Sequence, residues 1–352
     1  MRTPSSRVEP RLSRRRALAV GGAALSATAL AACGGAQRLT SEEANESNPL
    51  VLRMANNLDP QHVTSVALEE FITDVQERSG GRIHIEHYAS GQLGGEPQVL
   101  GQLRQGIVDL TRVGAPGLAA WDRGYHAFGL PYVFDSEEHY YAALDSEAMR
   151  DFFAGSQEQN FLGLTYYTSG ARSFYTASTP IRTPDDLAGL KIRIQDMATQ
   201  VQMTEAFGAS PIVMGFGDTY TALQTGLIDG AESNETVLNQ SGHGEVSKAF
   251  SLTEHTRIPD MLVIGTRAWD RLCEEDRTLL QEAAIASTEA HKEAWAQSIE
   301  EAYAESEEMG VEFIEDVDTD AFAELAAPVV EEFASRHQEV ADLLDIIDQA
   351  RS

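Results

Sequence analysis

The chain has 352 residues, with 55 Asp and Glu against 26 Lys and Arg and a formal charge of −29. That balance argues against nucleic acid or an anionic membrane surface as a partner, since either would be repelled. There are two cysteines, Cys33 and Cys273, so no disulfide framework is expected to hold the fold.

The N-terminus opens with Arg11-Leu-Ser-Arg-Arg-Arg16, followed by a weakly apolar run from Ala17 to Ala32. This is the layout of an export signal, and the run is too short for a membrane-spanning helix. Ser13-Arg14-Arg15 is similar to a twin-arginine signal, with Ala17 where that motif prefers Phe, so twin-arginine and general secretory export both stay open. Leu30-Ala31-Ala32-Cys33 matches a lipoprotein box. It implies removal of residues 1–32, lipidation of Cys33, and an extracytoplasmic protein in the periplasm or on the outer face of the cytoplasmic membrane. Residues 33–48, rich in Gly, Ser and Glu without periodicity, are expected to form a flexible tether. The first 32 residues hold six Arg and one Glu, so the remaining 320 carry about −34. With only Lys191, Lys248 and Lys292 as lysines, any local cluster of arginines stands out against a negative field.

Val51–Ala55 reads as a strand. Val66, Phe71, Ile72 and Val75 recur at helical spacing up to Gly80-Gly81, a helix-ending pair. Ile83, Ile85 and His87 alternate with polar residues in a second strand. A Gly-rich loop over 91–95, a helix over 96–105 and a strand over 107–111 follow. The β-α-β-α-β order predicts a parallel, doubly wound sheet. A second run of the same kind comprises strands 162–167, 190–195, 212–213 and 227–231, with helices 197–207 and 218–225. Residues 262–266 look like a strand returning to the first sheet. From Glu274 to about Met309 there is neither Gly nor Pro, which predicts one helix of roughly ten turns, long enough to run across two domains. Residues 319–349 predict two more helices, broken near Pro328 or His337. Cys273, near Trp269, Leu272 and Leu279, is expected to be a small apolar packing residue.

Leu190, Ile192 and Ile194 alternate with Lys191, Arg193 and Gln195, so this strand has one apolar and one polar face. From alternation alone, Arg193 is as readily a salt-bridged surface residue as an anion ligand. Strand ends and helix starts are where open α/β sheets bind ligands. Those places hold Asn57, His62, Glu96 and Arg112. Asn57 and Glu96 suit hydroxyl groups, and Arg112 suits a second acidic group or a hydroxyl. His255, in Glu254-His-Thr-Arg-Ile-Pro259, lies at the return crossing and reads either as a ligand contact or as a hinge residue.

Three blocks carry a resemblance over about residues 49–345. They are Gly91-Gln-Leu-Gly-Gly-Glu96, Asp185-Asp-Leu-Ala-Gly-Leu-Lys-Ile-Arg193 and Thr219-Tyr-Thr-Ala-Leu-Gln-Thr-Gly-Leu-Ile-Asp-Gly-Ala-Glu232. In order and spacing they resemble the DctP-type extracytoplasmic solute-binding proteins of TRAP transporters, tripartite uptake systems for organic acids. The resemblance implies an α/β, two-lobe periplasmic-binding-protein-like fold with crossing hinge strands and a long lobe-spanning helix. Lobe I is expected over 49–170 plus about 257–300, and lobe II over about 171–256 plus 301–350. It implies that Arg193 pairs with a ligand carboxylate, with Arg172 as a second contact. Asn234 would reach the carboxylate or a neighbouring hydroxyl, with Ser233 before it a departure from the family pattern. Phe216 would line the cavity, and Glu232 would orient an arginine or accept sugar hydroxyls. The expected ligand is a hexuronate or related sugar acid, with a C4-dicarboxylate or other monocarboxylate as the alternative. The expected partners are a TRAP permease and a lipid anchor, for a monomer without cofactor or metal. An exported enzyme acting on sugar acids is the alternative class. No Gly-x-Ser-x-Gly, His-Glu-x-x-His or Cys/His metal spacing supports it, and no catalytic residue is assigned.

Overall fold

Leu50, Leu52 and Met54 are buried and alternate with the exposed Val51 and the half-buried or exposed polar positions of a strand, β1 (Leu50–Ala55). The computed structural model describes residues 39–351. Helix α1 (Val63–Arg78) follows, capped by the His62 side chain and closed by Gly80 and Gly81 at φ +59° and +73°, a region that a Cβ disfavours. Strand β2 (Ile83–Tyr88), helix α2 (Glu96–Gln105) and strand β3 (Leu110–Gly114) complete the first winding. Helices α3 (Glu137–Leu144) and α4 (Glu147–Gly155), each N-capped by a serine, then lead to strand β4 (Phe161–Tyr167).

Strand β5 (Arg172–Thr176) begins a second layer with β6 (Lys191–Ile194), helix α5 (Ala198–Ala206), β7 (Ser210–Val213), helix α6 (Thr219–Thr225), β8 (Gly230–Ser233), the short helix α7 (Thr236–Gln240) and β9 (Ala249–Thr256). The chain returns through β10 (Asp260–Gly265). It then runs along the 35-residue helix α8 (Glu274–Glu308) to β11 (Glu312–Ile314), α9 (Thr319–Arg336) and α10 (Gln338–Gln349).

Two sheets result, in the orders β2-β1-β3-β10-β4 and β11-β9-β5-β8-β6-β7. Residues 168–171 and 257–259 carry the chain between them, and α8 packs on α1 and β4 of the first lobe and on α7 of the second. The two-lobe α/β architecture, the crossing strands and the long shared helix are therefore as expected. The crossing at 168–171 is tightly packed. Gly170 has φ +64°, and a Cβ there would stand 3.0 Å from the Trp295 ring of α8.

Several expectations need correction. The first sheet is mixed, because β10 runs antiparallel to both β3 and β4. Residues 227–229 form a turn and the strand starts at Gly230, since Gly226 ends α6 in the left-handed region. The tail breaks at His337, one of the two expected places, and Pro328 is accommodated inside α9. The tail also does not belong to one lobe. Phe322 and Ala326 of α9 join the core of the second lobe, whereas Val329 and Phe333 join the first, together with Val340, Leu343 and Ile347 of α10. His139 Nε2 lies 2.8 Å from the Ile347 carbonyl oxygen, which fixes α10 on the first lobe.

Within the expected tether Ser41 and Ala44 are buried, whereas residues 42, 43 and 45–48 are exposed. Ser41 is fully buried; its N–H donates to the Arg271 carbonyl at 2.8 Å, and its hydroxyl accepts from Cys273 N–H at 2.8 Å. Arg82 donates to the Ser41 carbonyl and, in two bonds of 2.9 and 2.8 Å, to the buried Asp276 carboxylate. Cys273 stands at the N-cap of α8 with its thiol 3.2 Å from Asp276, a helix-end position rather than an apolar packing one. The signal segment and Cys33 lie outside the described residues. Among the described residues no helix is long and apolar enough to cross a membrane.

Phe333 is 6% exposed in the first-lobe core. Phe333→Ala should therefore cost about 3 kcal/mol or more of unfolding free energy. A loss below about 1 kcal/mol in urea denaturation would show that the tail is not part of that core.

Candidate functional site

Parallel strands that end side by side bring the residues at and after their carboxyl ends to one edge of a sheet. In the first lobe that edge carries Asn57 beyond β1 and Arg112 and Gly114 on β3; because β10 is antiparallel, its first residue, Asp260, lies opposite Gly114. In the second lobe it carries Arg193 on β6 and Ser233 on β8; antiparallel β5 places Ser173 opposite Ser233, so Arg172 opens at the same edge. The two edges face one cavity. Asn57, His62 and Arg112 line it from the first lobe, and Arg172, Arg193, Phe216 and Asn234 line it from the second. This inner cavity is about 40 Å³; a neighbouring outer space of about 380 Å³ shares Asn57, Arg193, Gln195 and Phe216 with it and is bounded by Glu96 and the Gly94-Gly95 turn on one side and by the Met214–Gly217 turn on the other. A cleft of this size suits a single small ligand.

Arg193 is 3% exposed. Its Nε and Nη2 donate to the Met214 carbonyl oxygen at 3.2 and 3.0 Å, and its guanidinium lies 5.9 Å from the Phe216 ring centroid. Among the described residues no carboxylate comes within ion-pairing distance of it. Burial lowers its pKa from the usual value, with Glu232 pulling weakly the other way.

The other two arginines are already neutralised. Arg172 grips Glu232 in two bonds, Nε to Oε2 at 2.5 Å and Nη2 to Oε1 at 2.9 Å, and Nη2 also reaches the Glu232 carbonyl at 2.9 Å. Burial pushes the Glu232 carboxyl up, but Arg172 and His255 overcome it and hold the pKa at about 2. Arg112 lies between two carboxylates. Its Nη1 donates to Glu96 at 2.9 Å and to Asn57 Oδ1 at 3.0 Å, and its Nη2 pairs with Asp260. Burial opposes its charge, yet Asp260 and Glu96 raise its pKa. For Glu96 the balance is reversed: burial raises its pKa against the pull of Arg112.

The neutral polar groups are held in donor roles. Asn57 Oδ1 is taken by Arg112, which leaves its amide NH₂ free to donate. Asn234 Oδ1 accepts from Thr236 N at 3.1 Å and Thr236 Oγ1 at 2.7 Å, which again leaves the NH₂. His62 Nδ1 accepts the Thr64 N–H at 3.1 Å. The neutral ring must then carry its proton on Nε2, as a donor. Burial first, then Arg112 and His291, lowers the His62 pKa to about 3, so the ring is neutral at physiological pH.

The expected ligand contacts thus divide. Arg193, Arg172, Arg112, Asn57, His62, Phe216 and Asn234 share the inner cavity, and Glu96 lines its outer part. Glu232 and His255 do not line it. Glu232 is fully buried behind Arg172, whose guanidinium donates to it. His255 is also fully buried, stacked on Phe174 at 4.4 Å and 3.8 Å from Glu232. Asp260, Ser233 and Gln195 line the cavity without having been assigned a site role. Gln195 has a clear signal in the alternation, two residues after Arg193, although it stands just beyond the end of β6. Its Oε1 is buried without a partner. Among the described residues no group of His, Cys, Asp and Glu could hold a metal.

Two α/β lobes with a polar, arginine-rich cleft between them define a two-lobed solute-binding protein. Residues 54–337 match the family model described as "Bacterial extracellular solute-binding protein, family 7", and the chain belongs to that family. A TRAP periplasmic solute binding protein of Anaerococcus prevotii, solved with alpha/beta D-glucuronate bound, is 34% identical with a TM-score of 0.82, covering 85% of this chain and 97% of that one. One from Sulfitobacter sp. NAS-14.1, solved with beta-D-galacturonate, is 31% identical with a TM-score of 0.81, covering 84% and 99%. The 2,3-diketo-L-gulonate-binding periplasmic protein of Escherichia coli is 29% identical, over 83% of this chain and 89% of its own.

The Arg172–Glu232 pair makes stability pH-dependent with a definite sign. The folded pKa of Glu232 is depressed, so its contribution is present above the unfolded value of 4.5 and is lost as pH falls toward about 2. His62 and His291, held neutral with pKa near 3, add a loss that begins below the unfolded value of 6.5, where only the unfolded state takes up their protons. Glu232→Gln leaves Arg172 buried without its carboxylate. It should cost about 3–5 kcal/mol at pH 7 and flatten the acid limb below pH 4.5. Melts from pH 8 to 3 check both; an unchanged acid limb would contradict the assignment.

Proposed function

We propose that this protein binds a hexuronate, of the glucuronate and galacturonate type, outside the cytoplasm and hands it to a TRAP membrane permease. The observation that carries the reading is Arg193, a buried guanidinium whose only hydrogen-bond acceptor among the described residues is the Met214 carbonyl. An unpaired buried charge is costly, and a ligand carboxylate removes the cost through a planar two-bond fork. Arg172 Nη1 and the Asn234 NH₂, at the same sheet edge, supply further donors. The far wall suits ring hydroxyls, with Asn57 and His62 as donors and the carboxylates of Glu96 and Asp260 as acceptors. The relatives solved with D-glucuronate and D-galacturonate support this choice of ligand. A C4-dicarboxylate is the weaker reading, since no second unpaired cation stands on the far wall.

Membership of a solute-binding family supports binding rather than turnover. The His255–Glu232 pair lies behind Arg172 and away from the cavity. The ligand would bridge the lobes and favour the closed form, which the permease reads. Export as a lipoprotein anchored through Cys33, and a monomeric state, complete the proposal.

Arg193→Ala should lose about 2–5 kcal/mol of binding free energy in calorimetry with the best uronate. Near-normal binding by that variant would overturn the carboxylate assignment. In thermal melts against a panel of acids and neutral sugars, ligand at 100 times its dissociation constant should add about 2.7 kcal/mol. A shift with uronates and none with neutral sugars is expected; a shift with succinate alone would reject the sugar acid.

A further inference from the structure

The clamp on Arg112 determines which acids fit. In an open α/β cleft with arginines on both walls, the obvious ligand is a diacid, with one carboxylate for each wall. Here the first-lobe arginine is already taken. Its Nη2 pairs with Asp260, its Nη1 is shared between Glu96 and Asn57, and its Nε is buried without a partner. Asp260 and Glu96 line the ligand space themselves, Asp260 in the inner cavity and Glu96 in its outer part. Asp260 sits at the first residue of β10 directly after Pro259, and its register opposite Gly114 fixes it beside Arg112. The negative charge at this wall is thus built into the strand pairing.

We propose that Asp260, with Glu96, is the specificity-determining pair of the site: by occupying Arg112 it leaves one free cation for one carboxylate, so that the protein takes a sugar monoacid and rejects the corresponding diacid. The inference rests on the carboxylate site at Arg193. A diacid seated there would bring its second carboxylate against Asp260 and Glu96, with no unpaired cation to receive it. Like-charge juxtaposition across an interface costs enough to weaken binding by on the order of 100-fold. A sugar hydroxyl in the same place has acceptors waiting. Asp260 gives one oxygen to Arg112, and its other oxygen is engaged by no described residue.

The test compares D-galacturonate with galactarate, the same carbon chain oxidised at both ends, by calorimetry on the purified protein. Wild type should bind galactarate at least about 100-fold more weakly. In Asp260→Asn the galactarate-to-galacturonate ratio of dissociation constants should fall at least about tenfold, chiefly because the diacid gains. A merely structural Asp260 would weaken both ligands together and leave the ratio unchanged. Glu96→Gln should move the ratio in the same direction and reads it independently if Asp260→Asn does not fold. Comparable wild-type affinity for both acids, or a ratio unmoved in both variants, would overturn the proposal. The pair butyrate and succinate separates this inference from the hexuronate reading. Absence of uronate binding by wild type counts against the hexuronate, whereas a preference for succinate over butyrate counts against the one-carboxylate rule.

Discussion

A guanidinium buried against a single backbone carbonyl is an unstable arrangement unless something anionic is meant to join it. The Arg193 side chain is in that position, and among the described residues it is the one arginine of the cavity without a carboxylate partner. Glu232 neutralises Arg172 on one side. Asp260 and Glu96 neutralise Arg112 on the other. The amides of Asn57 and Asn234 and the ring of His62 have their acceptor atoms occupied within the protein, so what they offer the cavity is donors. Such buried pairs are poor evidence for stability, because desolvation offsets most of their attraction. Their use here is positional: each fixes a side chain, and together they leave one place for one negative charge.

The fold supplies this arrangement through strand direction. Both sheets present the carboxyl ends of their parallel strands to the cleft, and each contains an antiparallel neighbour, β10 or β5, that begins at that same edge. Asp260 and Arg172 are the first residues of those two strands, and both follow directly on the crossings between lobes. The crossings themselves are confined. Gly170 leaves no room for a Cβ beside Trp295 of α8, and His255 is stacked on Phe174 near the other crossing. Motion between lobes would therefore pass through segments that also carry site residues, which couples ligand contact to lobe position.

How much of this could be read from the chain alone depends on whether the signal was local. Alternation over residues 190–195 marked Arg193, and also Gln195, because a strand's period of two is visible in six residues. Gly80-Gly81 and the Gly-free, Pro-free run after Glu274 marked helix ends for the same reason. Strand direction is not local, so the return of 262–266 to the first sheet is legible but its antiparallel sense is not, and Asp260 is hidden because its partner Arg112 belongs to a distant strand. Glu232 and His255 were legible as polar residues near the site, but only packing shows that they stand behind Arg172 and not at the cavity wall. Composition does not show that Ser41 is anchored: a polar, Glu-rich stretch resembles a tether, and residues 42, 43 and 45–48 are exposed, yet Ser41 is held by Arg271, Cys273 and Arg82. The split of the tail between lobes was equally invisible, since amphipathic α9 and α10 do not say against which core they lie.

The most direct test is a crystal structure of the protein grown with D-galacturonate. The account predicts both carboxylate oxygens within about 3 Å of the Arg193 guanidinium, with the sugar ring's hydroxyls toward Asp260, Glu96 and Asn57. A carboxylate seated on Arg112 instead, with Arg193 still bonded only to the Met214 carbonyl, would contradict it.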